Sequence, residues 1–314
     1  MKIAVVGYSL DERGWSEDWK NLCIVNSIEY KSFDSFDPDF IDDLLAYNPD
    51  RVLWRSGNVP YKKIKDEMQR QFLDKTELRI VPNWNTHYLY DHKIRQTYLF
   101  NLHEIPHPET RIFFNEAYAL KYIERAEYPF VIKADGGSGS RSFRFIETKE
   151  QALVRVNEAF GGIGRITGRE HEKNILYVQE YIPAPNKWRI GMFKNKIGYG
   201  NLLKTDPITK TASYRSERTH PPVPTELLDM AQRINYGMNW DWMFYDILWS
   251  EKYGRYLVLE TTDTCNASGS LGRSLTYYRE NDEWVAKKEN SSPQEIIFEL
   301  FVMEDLRLQE RMAK

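Results

Sequence analysis

Short apolar runs and amphipathic runs alternate through the first 82 residues, and that alternation leaves few folds open to the chain. Residues 2–7 (KIAVVG) read as a strand. Residues 16–27 have helical spacing, with Ser16 as the expected N-cap and acidic side chains in the first turn. Residues 37–47 set Phe40, Leu44 and Tyr47 on one stripe, with Pro38 at the helix start. Residues 51–57 (RVLWRSG) form a short strand ending at Gly57. Residues 61–73 space Ile64, Met68 and Phe72 by four, which predicts that this face is buried. Residues 78–84 give a further strand. Strands alternating with helices at this interval predict a small parallel α/β domain.

The chain has 314 residues, enough for about two domains at roughly 100–200 residues each. A second unit therefore begins near residue 83. Residues 90–104 read as a helix with Ile94, Tyr98 and Leu102 on its face, and residues 105–114 as a Pro-punctuated loop entering a strand. A helix at 115–127 follows, with Asn115 as its cap. Residues 128–148 are strand, Gly/Ser loop and strand; 149–160 are helical; 174–183 are an apolar strand. Residues 187–203 read as a hairpin and 204–222 as a long basic flexible loop. A helix at 225–235 precedes strands at 241–250 and 255–262, and a C-terminal helix opens at Pro293. The expected division is an N-terminal α/β domain at 1–82, linker helices and a central region at 83–127, a small subdomain at 128–185 and a C-terminal subdomain at 186–314.

Composition excludes several classes. With 41% hydrophobic and 28% charged residues the chain is globular rather than disordered. It lacks the run of about 18 apolar residues that a membrane span needs. Two cysteines, Cys23 and Cys265, cannot build a disulfide framework, so a cytoplasmic setting is expected. Net charge is −3, which offers no footprint for nucleic acid. Residues 1–50 carry 11 acidic and 4 basic side chains, a net of −7, which leaves +4 for the remainder. That excess is compatible with a phosphate-bearing ligand.

Two features carry chemistry. In residues 131–141 (VIKADGGSGSR) Lys133 closes a strand and Gly136, Gly137, Ser138, Gly139 and Ser140 follow. Glycines let backbone N–H groups approach an anion, and lysine adds a point charge for phosphate. By itself such a loop also serves as a plain hairpin turn. Asp246 and Glu260 stand among apolar residues on two successive strands. Buried carboxylates are costly unless paired or bound to metal, and Mg²⁺ takes one or two carboxylates plus substrate phosphates. His103 and His107 are spaced by four, but Pro106 breaks any helix that would align them.

Taken in order, Lys93, Lys133 with its Gly loop, the strand at 177–182, Arg189, Asp246 and Glu260 resemble the ATP-grasp superfamily over residues 83–270. HKIRQTYLFNLHEIPHPET is similar to that family's lysine helix, YPFVIKADGGSGS to its second lysine and phosphate-covering loop, VQEYI to its adenine hinge and DIL…LVLETTDT to its magnesium strands. The groups most similar are the ribosomal-protein glutamate ligases, D-alanine–D-alanine ligases and glutathione synthetases. The resemblance implies an α/β (α+β) ATP-grasp fold with an N-terminal parallel α/β pre-grasp domain, and ATP and Mg²⁺ as cofactors. It implies that Lys93, Lys133 and Gly136 to Ser140 bind the phosphates. Gln179, Glu180, Tyr181 and Ile182 would line the adenine, and Asp246, Glu260 and Thr262 would bind the metal. Arg189, Lys204 and Arg215 would act in catalysis, while Arg55 and Arg218 would meet substrate.

Three departures stand out: Thr262 replaces a metal-binding Asn, Lys187 replaces an acidic residue near the hinge, and Cys265 replaces a Pro. The reading is an ATP-dependent ligase that joins a carboxylate to an amine through an acyl phosphate, releasing ADP and phosphate. Its substrates would be small molecules or peptides, with no nucleic acid or membrane partner, and assembly as a homo-oligomer stays open. Two alternatives keep the fold: an ATP-grasp kinase of a small molecule, and a nucleotide-binding protein without catalysis.

Overall fold

Ile3, Ala4, Val5 and Val6 are all buried, which places β1 (Lys2–Gly7) inside a sheet covered on both faces. The computed structural model describes residues 1–7, 14–55, 60–137, 143–162, 164–166, 171–212, 216–264, 275–288 and 291–312. Around β1 run α1 (Trp15–Val25), β2 (Glu29–Asp34), α2 (Phe40–Tyr47), β3 (Arg51–Trp54), α3 (Pro60–Leu73) and β4 (Ile80–Val81). The strands are parallel in the order β2-β1-β3-β4. Strand β2 escaped the sequence reading because it is a largely exposed edge strand with Phe33 as its one buried residue. Ser16 is not a cap: α1 starts after Gly14, and Ser16 is buried in the first turn.

The expected apolar face of α3 is reversed. Met68 and Phe72 are exposed, while Asp66 and Arg70 are buried. The Arg70 guanidinium donates to Trp54 O at 2.7 Å and Pro82 O at 3.1 Å, satisfying carbonyls at the strand ends. After α4 (Trp84–His87), the same reversal occurs in α5 (Lys93–Leu102). Tyr98 and Leu102 face solvent, and Lys93, Gln96, Thr97 and Phe100 face inward.

A second, antiparallel sheet carries β5 (Thr110–Phe113), β6 (Phe130–Lys133), β7 (Arg144–Ile146) and β10 (Leu176–Glu180) in the order β5-β10-β6-β7. Helices α6 (Glu116–Ile123) and α7 (Lys149–Phe160) pack on one face through Ile123, Ile132, Val156 and Val178. A short β8 (Arg165–Ile166)–β9 (His171–Glu172) pair precedes β10. The boundary expected at 127/128 thus passes between two strands of one sheet.

The largest sheet contains β11 (Asn186–Phe193), β12 (Ile197–Lys204), β13 (Arg218–Thr219), β14 (Trp242–Ser250), β15 (Arg255–Thr262), β16 (Thr276–Glu280) and β17 (Glu283–Lys287). Its order is β15-β14-β11-β12-β16-β17, with β13 paired to β12. Residues 204–222 are therefore not wholly a flexible loop. β13 zips back onto β12, and the Asp206 carboxylate accepts from Ile208 N and Thr209 N in a turn. One face of this sheet is sealed by α8 (Thr225–Met238) through Leu227, Leu228, Ala231 and Ile234.

The other face is sealed only at one end. There Phe193, Tyr199, Trp242 and Phe244 pack against Trp15 of α1 and against α9 (Pro293–Phe298) and the π-helical turn Glu299–Met303. Gly191 is required at that seam, since a Cβ would lie 2.3 Å from the Tyr199 ring. The chain closes with α10 (Glu304–Met312), whose Asp305 pairs with Arg51 at 2.7 Å. The C-terminal helices therefore bind the first sheet to the last and leave the rest of this face to a cleft. Among the described residues no helix is long and apolar enough to cross a membrane.

Candidate active site

A polar row crosses the largest sheet where its aromatic packing ends. Glu260 of β15 pairs with Asp246 of β14, Asp246 with Arg189 of β11, and Arg189 with Asn201 of β12. Directly paired antiparallel residues project to the same face, so all four side chains look into the cleft. Asp246 is 3% exposed. Arg189 forks onto it at 2.8 and 2.9 Å, and Lys187 donates to its Oδ2 at 2.6 Å. Burial pushes the Asp246 carboxyl up, but Arg189 and Lys187 outweigh it and hold the group well below the usual carboxylate range.

Opposite this row stand the two lysines expected from the sequence. Lys93 heads α5 and places Nζ 3.8 Å from Glu260 Oε2 and 3.1 Å from Gly137 O. Burial opposes its charge, yet Glu260 and Asp91 together hold it above the ordinary lysine value. Lys133 ends β6 and donates to Gln179 Oε1 at 2.6 Å. Burial brings it down to about 8; Glu260 resists this, while Lys93 and Lys187 add to it. Gly137, at φ +98°, turns the chain away from β6, and its N–H is held by Asp91 Oδ1 at 2.9 Å. Four cations thus converge on two carboxylates, which suits a polyanion.

Beside the acidic pair the cleft becomes apolar. A bulge follows Asp246, and beyond it Leu248 and Leu257 meet Ile182, with Ala184 and Leu259 alongside. Glu180 is tied to the β14–β15 turn, accepting from Lys252 at 2.6 Å and from the Tyr253 hydroxyl at 2.8 Å. Tyr181 packs edge-on against Phe145 at 4.7 Å.

No protein-family profile matches the chain. Over 80% of its length it is 25% identical to the alpha-aminoadipate–LysW ligase LysX of Saccharolobus solfataricus, covering 87% of that protein. It superposes on the D-alanine–D-alanine ligase of Bacillus anthracis with a TM-score of 0.61 at 12% identity, over 99% of this chain and 98% of that one. The chain has the ATP-grasp fold. A third similar structure is an ATP-grasp ligase associated with ribosomally made peptides from Chryseobacterium gregarium, in complex with ADP and a leader and core peptide. It gives a TM-score of 0.56 at 12% identity, over 83% of this chain and 88% of that one.

Within the ATP-grasp cleft not every expected residue is where the sequence put it. Lys204 lies outside: it is partnered in the ladder with Asn186, on the face opposite Arg189, and its exposed Nζ bonds Glu217 at 3.2 Å. Arg218 reaches the cleft face of β13 opposite Leu203. Arg55 sits at the end of β3, close enough for its charge to act on Tyr90. Ser138, Gly139, Ser140 and Arg215 lie outside the described residues, as does Cys265.

Asp246 and Glu260 are hard oxygen donors side by side, a donor set that fits one Mg²⁺ completed by phosphate oxygens. Among the described residues no group of three or more His, Cys, Asp or Glu side chains is arranged to hold a metal ion. Glu260 is the more accessible carboxylate of the two, since both Asp246 oxygens already carry Lys187 and Arg189. The Thr262 hydroxyl is occupied by its own turn, donating to Thr264 O at 3.1 Å and accepting from Thr264 N at 3.2 Å.

Sequence reasoning missed Lys187 as a partner of Asp246, and it missed Asn201, 2% exposed with no hydrogen-bond partner for Oδ1 among the described residues. It also missed Gln96, which clasps both Thr261 N (2.9 Å) and Thr261 O (2.8 Å) and so ties α5 to β15. For Lys187 and Asn201 the signal was polarity at strand positions that share a face with Arg189; Gln96 left none, because the apolar stripe of its helix points the other way.

Proposed function

We propose that the chain is an ATP-dependent ligase that joins a carboxylate to an amine through an acyl phosphate, with release of ADP and phosphate. The observation that carries this reading is the convergence of Lys93, Lys133, Arg189, Asp246 and Glu260 on one cleft beside an apolar patch. The ligases it resembles support the reaction class.

Adenine would rest on Ile182, Leu248 and Leu257 against the hinge at Glu180 and Tyr181. Lys93 and Lys133 would take the α- and β-phosphates, and backbone N–H groups from Gly136 onward would cover them. Glu260, with Asp246, would hold Mg²⁺, which supplies charge neutralisation at the phosphate oxygens. The substrate carboxylate oxygen attacks the γ-phosphorus and the bond to ADP breaks. Lys133 and Arg189 offset the charge that develops on the transferred group. The amine lone pair then attacks the acyl carbon, a proton leaves the nitrogen, and phosphate departs with the C–O bonding pair. Arg55, just beyond β3, and Arg218 of β13 would hold the substrate carboxylates.

Small molecules and peptides both fit the class. The relatives include a ligase of α-aminoadipate with LysW and a ligase bound to leader and core peptides. The deciding experiment is ADP release with Mg²⁺ across a matrix of carboxylates, amines and peptides. ADP formation that requires both a carboxylate and an amine supports the ligase. ADP formed with a stable phosphorylated product and no amine indicates a kinase, and nucleotide binding without ADP under any condition indicates a binding protein.

A further inference from the structure

One side chain outside the phosphate lysines touches three segments that the cleft must keep in register. His92 immediately precedes Lys93. Its Nε2 lies 3.1 Å from Glu67 Oε1 on α3, and its Nδ1 lies 3.0 Å from Asp135 Oδ2, two residues beyond Lys133. Arg95 forks onto the same Glu67 at 2.8 and 3.0 Å. The other Asp135 oxygen accepts from Ile94 N at 2.8 Å, and its carbonyl accepts from Lys93 N at 3.2 Å and Lys93 Nζ at 3.4 Å. Glu172 of β9 accepts from Asp135 N at 2.6 Å, and Asp91 holds Gly137 N.

An ionised carboxylate accepts hydrogen bonds and cannot donate them. A neutral imidazole has one N–H and one lone pair, so it satisfies only one of two facing carboxylates. Both His92 contacts are hydrogen bonds only when both ring nitrogens carry protons. Glu67 is ionised here: burial raises its carboxyl, but the bonds from His92 and Arg95 bring it down to about 2.

We propose that His92, as an imidazolium clasped between Glu67 and Asp135, is a positioning residue that docks the start of the phosphate loop onto the pre-grasp helix and so sets Lys93 for the nucleotide. The proposal rests on the ATP-dependent reading above. Among the described residues the groups that face His92 are Glu67 from α3, Lys93 and Arg95 from α5, Asp91 from the preceding turn, Asp135 from the end of β6 and Glu172 from β9, in the direct and relayed contacts given above. Loss of the His92 proton turns one contact into a carboxylate facing a lone pair, and the strand end parts from α3. Histidine is the side chain whose charge changes nearest neutrality, and two facing carboxylates favour its charged form.

The test measures MgATP affinity by calorimetry, and KM with kcat, from about pH 6 to about pH 9, on either side of the histidine range. Wild type should lose affinity roughly tenfold across neutrality, the scale of one charge-assisted hydrogen bond. His92→Gln should bind MgATP weakly already at the acid end, with kcat at saturating ATP nearly unchanged. Asp135→Asn is the decisive variant. Its amide can donate to the lone pair of a neutral ring while its oxygen still accepts from Ile94 N, so it should keep affinity and lose the neutral limb. A neutral limb that persists in both variants, or a loss confined to kcat, overturns the proposal. A wild type that binds no nucleotide overturns the ATP reading instead; faster amide exchange at Ile94 and Gly137 in His92→Gln then decides for the clasp, and unchanged exchange against it.

Discussion

Lys133 donates to Gln179 Oε1 at 2.6 Å, and the Gln179 amide nitrogen in turn donates to Thr110 Oγ1 at 3.0 Å and to the Tyr177 hydroxyl at 3.3 Å. The amide is thus oriented from behind, with its oxygen committed to the lysine. Gln179→Leu keeps the volume and removes the acceptor. It should weaken MgATP binding about tenfold, the scale of one hydrogen bond to a charged group, with little change in KM for the amine. Isothermal calorimetry with the nucleotide checks this, and unaltered affinity would mean that the pair does not orient Lys133.

The same lysine sets an alkaline limit. Burial lowers it to about 8 in the unliganded protein, and a triphosphate favours the charged form. Binding should therefore take up a proton above about pH 8, and the apparent MgATP affinity should fall as pH rises through that value. Calorimetry in buffers of different ionisation heat measures the uptake, which should rise between about pH 7 and about pH 9. Uptake that stays at zero would place Lys133 away from the phosphates.

Much of the fold was legible because it depends on local pattern. The β11–β12 and β14–β15 hairpins follow from paired apolar runs around Lys194–Asn195 and Gly254, positions that adopt positive φ. The acidic pair was legible because Asp246 and Glu260 interrupt runs that are otherwise apolar. What failed were inferences of orientation. Met68 and Phe72 of α3 and Tyr98 and Leu102 of α5 face solvent, because Arg70 and Gln96 are needed inside to satisfy backbone groups of other elements. Such partners come from distant parts of the chain and leave no periodic trace. Lys204 failed for a simpler reason. Strand parity puts it on the face opposite Arg189, and the register that fixes parity is set by the 194–196 turn.

Asp246 carries two cations and Glu260 is its register partner. Removing Lys187 leaves Arg189 to neutralise Asp246 and frees one of its oxygen sites. Lys187→Met should therefore lower the Mg²⁺ concentration needed for half-maximal ADP release, while costing about 1.5–3 kcal/mol of stability for the lost hydrogen bond to a charged group. A Mg²⁺ titration at fixed ATP reads the first effect and thermal unfolding the second. A rise in the Mg²⁺ requirement would show that Lys187 assists the metal rather than competing with it.

Asn201 stands next to Arg189 in the polar row, buried, with Oδ1 unpartnered among the described residues. An unmet buried acceptor destabilises by about 1–3 kcal/mol. Asn201→Leu should therefore keep or raise the melting temperature. If the amide meets substrate in the cleft, the same change should lower kcat/KM for the carboxylate at least tenfold. Lys204→Ala is the control: exposed and on the opposite face, it should leave turnover within about twofold.

Asp241 tests the linkage between charge and stability at the junction of α4 and β14. Its carboxylate accepts from Asn83 N at 2.6 Å, and its own N–H donates to Thr86 Oγ1 at 2.8 Å. Burial pushes it up to about 6, against the pull of Asn83, Lys194 and Arg79. The folded state thus holds this proton more tightly than the unfolded chain, whose aspartates titrate near about 4. The stabilisation is present below about pH 4 and is lost as pH rises to about 6, a difference of order 1–3 kcal/mol. Asp241→Asn keeps an oxygen for Asn83 and removes the buried charge. Its melting temperature should exceed that of wild type at about pH 8, and the gap should close by about pH 4, where both side chains are neutral. A variant less stable than wild type at the higher pH would show that the ionised carboxylate earns its place through a stronger bond to Asn83 than burial costs.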